Sequence, residues 1–237
     1  MTEAVANDIE QTENDEITPE ELQAVFENRA AQYGLLARLF RKELDQPIID
    51  ELHEMHYRVF TGNEKVDTGN RLIATYLSNL WENSVTELAA DYSRVFFGHG
   101  YNGHAAAYPF ESVYVSERRL LMGSSRSEVL ALYRAAKLTK QYSWKEGEDH
   151  VALEMEYMQI LSERTVEALA KGDSDAALNL TKKQFNFLED HLAAWLPMLA
   201  TEMIRFAKTD FYKGLAYMAD GFVETDFELL DDLLADE

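Results

Sequence analysis

Apolar positions along this chain recur at three- and four-residue steps almost from end to end, the period of a buried helix face rather than of a pleated strand. The first helix is announced by Thr18, Pro19 and Glu21, a T-x-x-E capping box with proline at the first helical position. Leu22, Val25, Phe26, Tyr33, Leu36 and Phe40 then form one inward face to about Lys42. A second helix opens at Pro47 with Ile48, Ile49, Leu52, Met55 and Val59 inward, and a polar loop follows over 61–70. The next stretch, 71–97, carries Leu72, Tyr76, Leu80, Leu88, Tyr92, Val95 and Phe96, and Asn83–Ser84 can divide it.

An unpatterned loop with three glycines and two histidines interrupts the helices after Phe97. A short helix is expected over 113–122, stopped by Gly123, and a second capping box, Ser125-x-x-Glu128, begins a helix to about Lys137. A polar linker over 139–148 contains Trp144. Asp149 leads a strong helix that ends near Lys171 and Gly172. Segment 174–196 follows, Pro197 marks a break or kink, 198–208 continues, and short amphipathic pieces at 211–219 and 227–234 finish the chain. No segment alternates with period two between turn residues, so no sheet is expected. The pattern predicts an all-α fold, a single globular helical domain of about nine or ten helices over 18–237. A disordered acidic segment precedes it at 1–17, and 139–148 is the place where a hinge would fit.

Composition agrees with long helices: 46% of the 237 residues are hydrophobic, and prolines number only four. The absence of cysteine removes disulfides, thiolate metal sites and thiol nucleophiles together. The formal charge of −21 is mostly a property of the two ends, since residues 1–21 and 219–237 each hold eight acids and no base. The remainder holds 27 acids against 22 bases. Such a surface is a poor match for nucleic acid. No apolar run reaches the ~18 residues of a membrane span, and the first residues carry neither a hydrophobic region nor an arginine pair, so the expectation is a soluble cytoplasmic protein.

Catalytic chemistry is hard to assemble. Residues 98–103 spell G-x-G-x-x-G, but they follow a helix where a dinucleotide site follows a strand, and His104–Ala105 replace the Lys and Ser/Thr of a P-loop. The alternative of a nucleotide- or pterin-phosphate-binding protein rests on those glycines alone. No Glu-x-x-His or H-E-x-x-H occurs, so no metal site is expected. At Glu146-Gly147-Glu148-Asp149-His150 the carboxylates suit a helix start, where free N–H groups and the dipole favour negative charge. His150 is not explained that way, and Glu154 and Tyr157 lie within reach of it at i+4 and i+7.

Three stretches in order resemble the TorD/DmsD/NarJ family of cytoplasmic chaperones for molybdenum-containing redox enzymes. Asp91-Tyr92-x-x-Val95-Phe96-x-Gly98 is similar to that family's D-Y-x-x-L-F-x-G, and Pro109-Phe110-Glu111-Ser112-Val113-Tyr114 to its P-W/Y-E-S-V-Y. Residues 146–150, with Leu153-Glu154-Met155-Glu156-Tyr157-Met158 after them, resemble its E-P-x-D-H box and following helix. Gly147 stands in place of proline and Phe110 in place of tryptophan. The resemblance implies a non-catalytic protein without cofactor. It would bind the twin-arginine signal peptide and apo catalytic subunit of a molybdopterin-containing oxidoreductase during cofactor insertion. On that reading Tyr92, Phe96, Phe110 and Tyr114, brought together by the glycine loop, supply apolar pockets. Glu111, Glu146 and Asp149 supply carboxylates for the arginines. Pro109, Ser112, Glu154 and Tyr157 complete the site, and His150 orients a carboxylate or meets the peptide, with a charge that makes binding pH-sensitive. A long linker at 139–148 also allows a domain-swapped homodimer.

Overall fold

The computed structural model describes residues 17–98, 105–115 and 124–235. Among them the chain forms ten α-helices: α1 (Pro19–Arg41), α2 (Gln46–Glu54), α3 (Glu64–Leu77), α4 (Ser84–Phe97), α5 (Glu111–Val115), α6 (Ser124–Ala135), α7 (Val151–Ala170), α8 (Ser174–Phe187), α9 (Ala193–Phe206) and α10 (Asp210–Ala235). A π-helical turn, Leu188–Leu192, joins α8 to α9. No strand forms among the described residues, and one antiparallel bridge pairs Phe110 with His150. The all-α expectation therefore holds. The acidic N-terminal segment lies outside the described residues apart from Ile17, as do His99 to His104 of the loop and the second half of the helix expected over 113–122.

The caps set the boundaries. Thr18 Oγ1 accepts the Glu21 N–H at 3.2 Å and the Glu21 carboxylate returns to the Thr18 N–H at 2.9 Å, completing the predicted box. The second predicted box does not form: Ser125 lies inside α6, buried, and its hydroxyl finds no partner among the described residues. Asn63 caps α3 through the N–H groups of Lys65 and Val66, so the helix begins at Glu64 and residues 64–70 of the polar loop expected over 61–70 are helical. Polarity misled there because Gly69 and Asn70 are buried for reasons other than hydrophobicity. Asn70 donates to the Arg58 carbonyl at 2.7 Å, and Gly69 lies where α3 crosses α10. Similarly, α2 ends at Glu54, which leaves Met55 partly exposed rather than inward.

Two expected breaks are absent. Helix α10 runs unbroken through 219–227, and Gly221 there meets Asn63 and the Val66 backbone across the α3 crossing instead of ending a helix. Helix α9 continues through Pro197, losing one backbone donor near its start; the irregularity comes earlier, at the π turn. Gly172 ends α7 as expected, at φ +69°.

The core is shared by helices on both sides of the 139–148 linker. Helix α7 lies along α1 and α10 along α3, around Tyr33, Phe40, Phe96, Trp195, Phe211 and Tyr212. A Cβ placed on Gly69 would stand 2.6 Å from the Gly214 carbonyl oxygen and the Met218 backbone nitrogen, atoms that cannot move alone. Gly69→Ala is therefore expected to lose about 1–3 kcal/mol of stability, the range of core overpacking, in urea melts of the purified chain. An unchanged midpoint would show that the α3–α10 crossing gives way freely.

Candidate functional site

Helices α5 and α7 start side by side, and each box caps the other's helix. The Asp149 carboxylate accepts the Ser112 N–H at 3.1 Å, while the Asp149 carbonyl accepts the Glu111 N–H at 3.0 Å. In the reverse direction the Pro109 carbonyl accepts the Val151 N–H at 3.0 Å. His150, and not Asp149, is the cap of α7: its Nδ1 accepts the Ala152 N–H at 3.1 Å. Four otherwise unpaired donors at two helix starts are thus satisfied by residues 109 and 149–150. The Phe110–His150 bridge is the middle of this clamp, with the two rings edge to face at 5.0 Å. Gly147 leaves room for it, since a Cβ there would stand 2.8 Å from Asp149 Oδ1 and 3.5 Å from the Phe110 ring.

His150 acts as a cap because it is neutral. Burial, and after it the Arg41 cation, push the imidazole down to about 3, so Nδ1 keeps a lone pair for the amide. The expectation of a charged, pH-sensing His150 is corrected accordingly: 3% exposed between the Phe110 and Trp144 rings, it carries no charge near neutrality. Unfolded, the ring takes its proton near 6.5, so between that value and about 3 the unfolded chain binds more protons. This contribution to stability is complete above pH 6.5 and is lost as pH falls toward 3. Below pH 6 the loss should approach about 1 kcal/mol per pH unit, and it should be relieved in His150→Asn, whose amide oxygen preserves an acceptor. Urea midpoints of both proteins between about pH 7 and pH 5 check this, and parallel declines would assign the acid sensitivity to other groups.

Beneath the clamp lies a buried acid cluster. Glu111 faces His191 Nδ1 at 3.1 Å from the π turn, and Trp195 Nε1–H donates to Glu154 Oε2 at 2.9 Å. Burial first, and the Glu111 charge second, raise Glu154 well above the usual carboxylate range, which favours its neutral form beside a second buried acid. Tyr114 stacks on Trp195 at 5.5 Å, and the Ser112 hydroxyl has no partner among the described residues.

The expected pocket residues therefore separate. Pro109, Phe110, Glu111, Ser112, Tyr114, Asp149, His150 and Glu154 come together around the two helix starts. Of these, Glu111, Ser112, Asp149, His150 and Glu154 are internal and face no solvent. Tyr92 and Phe96 are core residues: the Tyr92 hydroxyl donates to the Phe40 carbonyl at 3.1 Å, and Phe96 meets Phe40 and Tyr212 edge-on. They are not shoulders of an open loop, because α4 directs them inward against α1 and α10. Tyr157 packs on Tyr133 and Phe187, away from the His150 ring, and walls an open groove of ≈ 410 Å³. Glu146 is half-buried, and it and Glu43 lie close enough to the Tyr92 hydroxyl to assist burial in raising its pKa.

Two functional features escaped the sequence reading. Asp91, which opens the first box, anchors the start of α10 by accepting the Thr209 N–H at 2.7 Å and hydroxyl at 2.6 Å, with Lys208 N–H at 3.1 Å. His191 and Trp195, which hold the acid pair, belong to no motif; the first lies in the π turn and the second in the first turn of α9. No group of three metal-ligating side chains is present among the described residues.

Residues 63–201 match the family described as nitrate reductase delta subunit. The chain is 28% identical over 221 residues to a "Chaperone protein TorD" of Vibrio cholerae serotype O1 (strain M66-2), covering 91% of this chain and 97% of that one. Those of Psychrobacter sp. (strain PRwf-1), at 26% identity with 89% and 95% covered, and Shewanella loihica, at 28% with 85% and 92%, are similar. With ordered boxes that build one helix clamp, and a family match over more than half its length, this chain belongs to the nitrate reductase delta subunit family, the TorD/NarJ group.

Proposed function

We propose that this protein is a cytoplasmic maturation chaperone, not an enzyme, which binds the twin-arginine leader and apo catalytic subunit of a molybdopterin-containing oxidoreductase. The observation that carries the reading is the similarity to chaperones over about nine-tenths of both chains. Among the described residues no helix is long and apolar enough to cross a membrane. The single domain over 18–237 and the swapped dimer belong to the same proposal.

The burial pattern refines the leader site. Asp149, His150, Glu111 and Glu154 are spent on each other and on helix starts, so they position the edge rather than contact arginines. Phe110, half-buried over Gly147, is the apolar element left at that edge. Glu43 and Glu146, the two carboxylates near the Tyr92 hydroxyl, are the ones available to guanidinium groups. Titration of the full chain with a labelled leader peptide tests this. Saturable binding is expected, weakened about tenfold or more when both leader arginines are replaced, or in Glu43→Gln/Glu146→Gln. No saturable binding would overturn the chaperone reading. Equal binding by the substituted leader would overturn its electrostatic part. The alternative of a phosphate site on residues 98–103 is less favoured: Gly98, at φ +72°, is the C-cap of α4, and the rest of that stretch lies outside the described residues.

A further inference from the structure

Cations gather on one face of this acidic chain, around two apolar grooves that lie in succession along α7. The first, of ≈ 410 Å³, has Leu138, Trp144, Leu153 and Ile160 in its walls and Arg41, Lys42 and Lys140 at its rim, with one acid, Glu156. The second, of ≈ 380 Å³, is lined by Leu132, Leu161, Leu180 and Phe187, with Lys137, Arg164 and Lys183 and one acid, Asp190. Tyr157 borders both. Over the whole chain acids outnumber bases 43 to 22. The second groove holds three cations against one acid, whereas at the first Arg41 pairs with Glu156, Lys42 with Asp45 and Lys140 with Glu148, so the excess positive charge lies at the second. Arg41 is held at the first rim by Glu156 and by the face of Trp144, 4.9 Å from the ring centre. Lys137 and Lys183 are exposed and make no ion pair among the described residues.

We infer that this face is a docking surface for an amphipathic, acidic helical segment of a partner protein. It runs along α7 from beside the edge proposed for the basic leader, where Trp144 packs on the His150 ring and Lys140 donates to the Glu146 carbonyl. Residues Leu153 to Arg164 of α7 line the two grooves, a rise of about 16 Å or three helical turns, which suits apolar anchors at i, i+3/4, i+7 and i+11 of a helix lying alongside. The rims select acidic side chains between those anchors and oppose the arginines of a leader. Aliphatic side chains dominate the second groove, and in the first the Trp144 face is already covered by Arg41, which favours a protein segment over a stacked nucleic-acid strand. The surface does not depend on the leader being a ligand, so it stands or falls separately.

The probe is a fluorescein-labelled helical peptide with leucines at those anchor positions and glutamates between them, titrated into the full chain. A second peptide carries lysines in place of the glutamates. Saturable binding of the acidic peptide is expected, at least about tenfold tighter than the basic one and weakened about tenfold or more in Lys137→Glu/Lys183→Glu. Both sites are exposed, and a native melting curve confirms the variant's fold. Non-saturable binding, equal affinity for the two peptides, or indifference to the charge reversal would overturn the proposal. So would displacement of the peptide by single-stranded RNA, by self-association of the chain, or by a synthetic 1–16 peptide that binds at least as tightly, since each assigns the face to a different occupant.

Discussion

Asp226→Ala is expected to cost about 3–5 kcal/mol, enough to lower the melting temperature by roughly 10 °C in a domain of this size. Asp226 is buried and accepts both Arg29 Nη2 at 2.9 Å and the Tyr33 hydroxyl at 2.5 Å. The same guanidinium donates to Gln184 Oε1 at 2.7 Å, and Gln184 bonds Thr165 at 3.0 Å and Ser162 at 2.9 Å. Four helices, α1, α7, α8 and α10, therefore meet on one charge pair. Removing the acid leaves a guanidinium without its counter-ion at 3% exposure, and that desolvated charge, more than the lost bond, sets the size of the effect. The matched control is Arg29→Met/Asp226→Leu, which removes both charges and should cost far less than either single substitution. If the double variant is as damaged as Asp226→Ala, packing rather than charge holds the four helices.

The second large effect concerns the clamp. Asp149→Ala should lose about 2–3 kcal/mol, the range for a charge-assisted bond to a buried donor, because the Ser112 N–H is left unsatisfied. Asp149→Asn keeps an oxygen acceptor and should lose markedly less. Amide exchange locates the damage: Ser112 should exchange faster in the alanine variant while amides in α3 keep their protection. A global loss of protection without a local change would mean that Asp149 does not act through this helix start.

Much of the fold was legible because burial here follows helical period. The capping box at Thr18, the stop at Gly172 and the face of α7 could all be read from residue type and spacing. The failures share one cause, which is tertiary use of residues that look like punctuation. Gly69 falls in an expected loop and Gly221 in an expected break, yet with Gly214 they allow two backbones to cross within van der Waals reach. Ser125-x-x-Glu128 has the spacing of a box, but the chain is already helical at Ser124. At the site, the boxes were found by resemblance, and their physical role was not apparent. Charge at Asp149 suggested a ligand for arginine, whereas its oxygen is used within the molecule. A histidine at a helix start looked unfavourable until its burial and neutral state were known. His191 had no local signal, and Trp195 only its place on the apolar face of 174–196, since both matter through contact with Glu111 and Glu154.

Leader binding by the Asp149→Asn variant tests the central claim most directly, namely that the recurrent boxes build the receiving edge from within and do not touch its ligand. With a twin-arginine leader peptide, the wild-type chain and Asp149→Asn should bind within about threefold of each other, because the substituted oxygen still caps Ser112. A variant that melts like the wild type yet has lost saturable binding would place the Asp149 carboxylate on the peptide and contradict the account.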